Sequence, residues 1–359
     1  MVRSLDDSSA VSKVDREDML GAVARFPDYL SEPGRFLGAG SAGRETLYDS
    51  VVLAGMGGSA SAGDFLQDWL RDRMERELVV LRQPRLPRGF GKRTLLIAMS
   101  YSGDTWETLS AFRMAKDRGC RMVAVSSGGK LNTLCNRWGV PILRLDRGLA
   151  PRAAMPQMIR AGVVALQESG VVSRCVEELA PTGEELRRRR RKVGIEIPSS
   201  KNRAKLFASK LLDKIPAVYS LYRTSSVARR FKNQLAENSK VLALFGLLPE
   251  SCHNEVEAWG KSAKLVRAVI IRDSVEGREE HALINTFTEV VRKAAGPRPL
   301  EVRVRGESVL ARLLAPVLFL DYVSVYLAIL RDVDPSPVPW ITFYKKRYAS
   351  VMKTVMRKC

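Results

Sequence analysis

The amino-acid sequence predicts an α/β protein built from two halves of similar pattern, each a mainly parallel sheet flanked by helices. Three observations carry that expectation. Short continuous apolar runs alternate with stretches of helical period, as in strands buried on both faces. Two of those runs lead straight into turns rich in glycine or in hydroxyl side chains. The alternation then starts again after residue 200, beyond five consecutive arginines at 187–191. A chain of 359 residues is long enough for two domains with a core each.

Taken in order, residues 14–38 read as a helical N-terminal segment. A strand at 50–53 ends in glycines and feeds a helix at 59–73. Strands follow at 78–81 and 94–99, the second leading into a helix at 104–118. A strand at 122–125, a short helix at 130–138, a strand at 140–145 and a helix at 151–169 complete the first half. The second half repeats the theme with a strand at 217–221, a helix at 226–238, a strand at 241–244 and a helix at 255–265. A strand at 267–271, a helix at 278–294 and a strand at 300–304 come next, and long helices at 308–331 and 338–356 close the chain. The expected organisation is an N-terminal helical segment at 1–40, a first domain at 41–180, a basic linker at 181–200 and a second domain at 201–359. Adjacent like charges repel, so the arginine run is expected in a linker or at an exposed helix end, between the two domains.

Composition narrows the function. An apolar content of 45% with 27% charged residues is that of a soluble globular protein. The first 18 residues are too polar for a secretory leader. The most apolar stretch, 309–330, contains Arg312, Pro316 and Asp321, so a buried core helix is expected there and no membrane span. Five cysteines without a CxxC pair, and only two histidines, argue against a disulfide framework or a metal site and for the cytoplasm. The net charge of +20 suits either nucleic-acid binding or a solvated basic surface. Aromatic residues make up 7% and are not interleaved with the basic ones, and no RRM, KH, zinc-finger or basic-zipper pattern occurs, so no specific nucleic-acid partner is expected. The charge should still steer anionic substrates inward.

The chemistry is expected at two turns. Gly55-Met56-Gly57-Gly58-Ser59-Ala60 lies between a strand and a helix, where glycines permit positive φ and close approach of a ligand to the backbone. The pattern also fits a dinucleotide-binding turn. That alternative needs a carboxylate at the end of the next strand, where Leu81, Arg82 and Gln83 stand; an arginine there leaves NADP open. Ser100-Tyr101-Ser102-Gly103-Asp104-Thr105 follows the strand at 94–99 and opens a helix. Its three hydroxyls and free amides suit a monophosphate, and helix capping by Asp104 or Thr105 would account for one of them at most.

Together the two turns resemble the sugar isomerase (SIS) domain. With the second half included, the chain is similar to the archaeal bifunctional phosphoglucose/phosphomannose isomerases from about residue 50 to residue 346. The further markers are Ala150-Pro151-Arg152-Ala153-Ala154, Lys232-Asn233-Gln234, Glu237-Asn238, Leu248-Pro249-Glu250, His253-Asn254-Glu255 and Asp334-Pro335. The resemblance implies two SIS domains, a homodimer whose active site draws on both subunits, and cofactor-free, metal-free interconversion of aldose and ketose 6-phosphates. It places the substrate phosphate on Gly57, Gly58, Ser59, Ser100, Ser102 and Thr105. It makes Glu237 the proton-transferring base, sets Arg152 beside the reacting carbons, gives His253 a part in ring opening and brings Lys345 near the ring oxygen.

The reaction's needs agree with these residue types. Moving a proton between C1 and C2 through an enediol takes one carboxylate that can accept and return it. The enediolate calls for a fixed cation. Ring opening suits a histidine, which titrates near neutrality. His281 lies mid-helix and reads as a solvated side chain, which leaves His253, in an irregular stretch. One departure stands out: Val338, with Ser336 two residues earlier, occupies the place of a hydroxyl residue linked in the family to acceptance of mannose 6-phosphate. A non-catalytic SIS-type sugar-phosphate sensor is the main alternative; it would keep the phosphate cup without needing Glu237 and His253 together.

Overall fold

The computed structural model describes residues 4–31, 36–37, 48–295 and 298–358. Parts of the expected segment 1–40 therefore lie outside the described residues, as does Cys359. Two sheets organise the chain. The first contains β1 (Phe36–Leu37), β2 (Ser50–Ala54), β3 (Leu78–Leu81), β4 (Thr94–Met99), β5 (Arg121–Ser126) and β6 (Ile142–Arg144) in the order β1-β6-β5-β4-β2-β3. Its pairings are parallel except that of the short edge strand β1 with β6. The second contains β7 (Ile215–Ser220), β8 (Leu244–Leu247), β9 (Val266–Asp273) and β10 (Leu300–Val304) in the order β10-β9-β7-β8, all parallel.

The period-two alternation of the strands assigns their two faces to different cores. Val51, Leu53, Leu95 and Ile97 of the first sheet join Val218, Val269 and Ile271 of the second in one large cluster. Val52, Ala54, Leu96 and Ala98 belong to a separate cluster with residues of α5 (Trp106–Asp117) and α6 (Gly129–Trp138). Ala217, Tyr219, Ala268 and Ile270 likewise pack with α11 (Arg278–Ala295). The large cluster is therefore a helical layer held between the two sheets. It draws on α4 (Gly57–Leu70), α7 (Met155–Glu168), α10 (Ser225–Glu237) and α12 (Val309–Leu330). Among the described residues α12 is the one helix long and apolar enough to cross a membrane, and it is almost wholly buried inside the protein. Its Asp321 is paired with Arg230 of α10, so the charge is compensated where it lies.

Several expected elements differ in the structure. Among the described residues the N-terminal segment contains three short helices, α1 (Ser8–Val14), α2 (Met19–Ala24) and α3 (Phe26–Ser31), and the strand β1 in a stretch expected to be helical. The first break comes from Asp15, whose carboxylate receives the Met19 and Leu20 amides at 2.7 and 2.8 Å, and from Asp18 at φ +54°. The strand expected at 241–244 begins at Leu244, because the Val241 amide closes α10 by donating to the Leu235 carbonyl. The helix expected at 255–265 is two 3₁₀ turns, Glu255–Ala258 and Lys261–Leu265, separated by buried Trp259 and extended Gly260.

Of the two settings expected for the arginine run, a linker or a helix end, the structure shows the second: it closes α8 (Leu179–Arg190), a helix that packs on α3 and α12. Each of the run's first four side chains has a fixed acceptor. Arg187 Nε donates to Asp28 at 2.7 Å, Arg188 to Glu307 at 3.0 Å, Arg189 to Glu185 at 2.6 Å and Arg190 to the Ala24 carbonyl at 3.0 Å. Local acceptors thus offset the repulsion that a run of like charges would otherwise impose. A second short helix absent from the sequence reading, α9 (Arg203–Ser209), follows and is capped by Asn202.

Candidate active site

The glycine turn joins β2 to α4, and the hydroxyl turn joins β4 to α5. The two turns are neighbours because β2 pairs with β4, Ala54 opposite Ala98. They are also tied together: the Tyr101 amide donates to Ser59 Oγ at 3.3 Å. Within the second turn, Ser100 Oγ donates to Thr105 Oγ1 at 3.0 Å and receives the Gly103 amide at 3.1 Å. Ser102 Oγ receives the Asp104 amide at 3.3 Å. Ser59 and Ser100 are buried, and Ser102 is exposed at the rim.

Capping would have consumed these groups, and it does not. Met56 precedes α4 with no side-chain cap, and Thr105 occupies the N-cap of α5 without a side-chain bond to its helix. The Asp104 carboxylate is turned to the Lys130 amide, at 3.1 Å. Two helix N-termini therefore present amide donors and positive dipole ends toward one cup, with hydroxyls between them. Arg82, which the dinucleotide alternative offers to a 2′-phosphate, is instead paired with Asp64 and reaches the Ala60 carbonyl.

Gly57 opens α4 at φ +52°, a conformation that favours glycine. Gly58 is needed for a different reason. A Cβ there would stand 2.8 Å from the Pro151 carbonyl oxygen and 3.4 Å from Arg152 Cα. The bare backbone at 58 lets the turn carrying Arg152 close onto the cup.

Arg152 is buried, and its guanidinium is held on three sides. Nε donates to Asn238 Oδ1 at 2.6 Å, and one terminal nitrogen donates to the carbonyls of Pro335 at 2.7 Å and Ser336 at 3.0 Å. The other terminal nitrogen lies 3.7 Å from Glu237 Oε2. Asn238 is braced in turn by Ser324 of α12, at 2.9 Å. Behind it, Arg230 donates to the Arg152 carbonyl at 3.1 Å and pairs with Asp321, which also receives Gln234 at 3.0 Å. Burial pushes the Arg152 pKa down, and the Glu237 carboxylate opposes that shift. An unpaired guanidinium at this depth would cost several kcal/mol. The carbonyls, Asn238 and Glu237 make its burial tolerable and leave little freedom in its direction.

Glu237 is the last residue of α10, and its side chain is only partly exposed. The structure thus brings together Arg152 and Glu237, and joins Ser59, Ser100 and Thr105 in the cup. His253 stands exposed at the end of the 3₁₀ turn Glu250–His253. Lys345 is exposed on α13 (Pro339–Lys358). One turn further along α13, Tyr348 meets Trp106 edge-on with ring centroids 5.6 Å apart. Trp106 directly follows Thr105, so α13 passes over the entrance of α5, and Lys345 stands one turn before that contact.

Two residues join this cluster that sequence reasoning left without a role. Asn238 stood in a motif, but its contact with Arg152 spans 86 positions. Lys240 belongs to none of the motifs named above. Its ammonium donates to the carbonyls of Glu237, of Pro335 at 3.2 Å and of Pro337 at 2.8 Å.

The equivalent turn of the second half, between β7 and α10, is filled from within. Asp68 of α4 receives the Ser226 amide at 2.9 Å and the Ser225 hydroxyl at 3.3 Å. Its carboxylate occupies the place an anion would take at that helix end.

Residues 200–348 match the family described as the bacterial phospho-glucose isomerase C-terminal SIS domain. A bifunctional phosphoglucose/phosphomannose isomerase of Caldicellulosiruptor bescii is 34% identical over 307 residues, covering 84% of this chain and 90% of that protein. One from Aquifex aeolicus is 32% identical over 305 residues, covering 84% and 91%. Among solved structures, a glucose-6-phosphate isomerase-like protein from Thermus thermophilus superposes with a TM-score of 0.63 at 22% identity, over 94% of this chain and 99% of its own, a likeness of fold. On its two SIS-type halves and on these sequence relationships, the chain belongs to the bifunctional phosphoglucose/phosphomannose isomerase family.

Proposed function

We propose that this protein interconverts glucose 6-phosphate and fructose 6-phosphate, with mannose 6-phosphate as a second aldose, through ring opening and an enediol. The observation that carries the reading is the buried Arg152 aimed at Glu237 beside two uncapped helix N-termini. The 6-phosphate would sit on the amides of Gly57 and Gly58 and on Ser59, Ser100, Ser102 and Thr105. Glu237 would take the proton from C2 of the aldose and return it to C1, so that a C–H bond breaks at one carbon and forms at the next. Arg152 would balance the charge that builds on the enediolate oxygens. Ring opening falls to His253 and Lys345.

His253 is exposed in the single chain, which supports a site completed by a second subunit. So does α13, where Trp340, Phe343 and Tyr344 are 80%, 63% and 58% exposed. Such aromatic surface on one helix is suited to burial in a homodimer. The free cysteines fit an enzyme of cytoplasmic sugar metabolism.

The test is a coupled assay on each aldose phosphate with no added metal or nucleotide. Glu237→Gln should lower kcat by roughly 10²-fold or more, the usual contribution of a general base. Near-normal turnover in that variant would remove the base assignment. His253→Asn should impair the ring-closed substrate more than an open-chain analogue; equal losses would argue against a part in ring opening.

A further inference from the structure

Lys240 lies outside the proton-transfer chemistry, yet its surroundings are unusual for a surface lysine. Its backbone is in the left-handed region, φ +55°, immediately after the turn that ends α10. That conformation, uncommon for a residue with a Cβ, turns the side chain back along the helix end. The ammonium there collects three carbonyls, those of Glu237, Pro335 and Pro337. The Pro335 carbonyl is shared, because it also receives Arg152.

We propose that Lys240 is a positioning residue for the isomerisation: its ammonium clamps the end of α10, which carries Glu237, onto the 335–337 turn, which receives Arg152 and leads into α13. The proposal rests on the isomerase reading above. Two separate parts of the chain meet at this donor group, and a third joins them through the shared Pro335 carbonyl. Arg152 comes from the turn before α7, Glu237 from α10, and the carbonyls from the connection between α12 and α13. A lost donor would release the 335–337 carbonyls from the α10 end and loosen the spacing of base and cation. Misplacement of reacting groups by about 1 Å can cost roughly 10²-fold in rate.

The charges that face Lys240 make the clamp sensitive to pH. Arg152 repels it, while Asp334, whose carboxylate receives the Ser336 amide at 3.0 Å, and Glu237 attract it. Lys240 as a residue is exposed, but partial burial of its ammonium, followed by Arg152, pushes its pKa down to about 8. The folded value thus lies below that of a free lysine, and between the two the unfolded chain binds the extra proton. This group's contribution to stability therefore rises with pH across that window. Activity should move the other way, because the neutral amine has one hydrogen fewer to share among three carbonyls.

The experiment compares wild type, Lys240→Arg and Lys240→Met in the coupled assay from about pH 6 to about pH 10, with thermal midpoints over the same range. Wild-type kcat should fall through about pH 8 while the thermal midpoint shows no matching fall. Lys240→Arg, charged throughout, should work within about threefold of wild type at neutral pH and lose the fall. Lys240→Met should lose roughly tenfold or more in kcat at neutral pH, with KM changed less than about threefold, and should also lack the fall. Wild-type kcat in Lys240→Met, or a fall near pH 8 that persists in it, would overturn the assignment. If arginine does not fit, the methionine profile decides alone. A wild-type protein with no isomerase turnover would instead overturn the isomerase reading itself.

Discussion

The two halves use the same strand-to-helix turn in opposite ways. In the first, the turn before α4 is bare: it holds glycines and no side-chain cap, and the hydroxyl turn beside it faces the same space. In the second, Thr224 leads into α10, and the helix start, Ser225 and Ser226, is closed by Asp68. In the proposed site the first half would work from the start of its helix, and the second from the end of its own, where Glu237 stands. A repeated architecture can carry one site when one copy of the anion-binding turn is satisfied by an internal carboxylate. On the proposed function, the second copy is then free to supply the base.

Substitutions at the two turns should differ in kind. The largest effect is expected at Gly58. Gly58→Ala drives a methyl against the Pro151 carbonyl, at 2.8 Å, and must push the Arg152 turn away from the cup. Loss of kcat/KM on the order of 10²-fold should follow, and wild-type kinetics in this variant would refute the close approach. Ser100→Ala removes one donor from the cup. It should raise KM roughly tenfold or more, as expected for a hydrogen bond to a charged group, with a smaller change in kcat. An equal loss with a substrate lacking the phosphate would count against the phosphate assignment. The smallest effect belongs to the closed turn. Asp68→Ala should cost about 1–2 kcal/mol of stability, the value of a helix cap, and leave kcat and KM within about twofold. A large kinetic change there would mean that the second turn is not merely structural.

Much of this comparison is legible in the sequence, and the part that is not has a physical reason. The open turns are local: glycines and hydroxyls stand within a few residues of the strand ends they serve. Apolar runs of alternating burial locate most strands, and the bounds of β3 and β10 agree with the pattern. Arg152 and Glu237 come from the family resemblance, and their proximity depends on folding. The groups that aim Arg152 are Asn238, Pro335 and Ser336, which lie 86, 183 and 184 positions away. No periodicity reports such contacts. The closure of the second turn by Asp68 spans 158 positions and is equally hidden. The arginine run shows the same limit: a helix end is legible there, but its acceptors come from α3 and from the loop before α12.

The central helix α12 also sets an order of events. Its Leu314, Val323 and Ile329 share one core with Met19 and Leu30 near the start of the chain and with Leu66 and Leu166 of the first half. On the ribosome, the outer layer formed by β2, β4, α5 and α6 can assemble early. The middle layer lacks its inner wall until residue 330 has emerged. The nascent chain must therefore leave that apolar surface uncovered until the 22-residue helix that fills it has been made. Translation that stopped just before residue 309 would leave that surface uncovered, and such a fragment should be a target for chaperones and proteases.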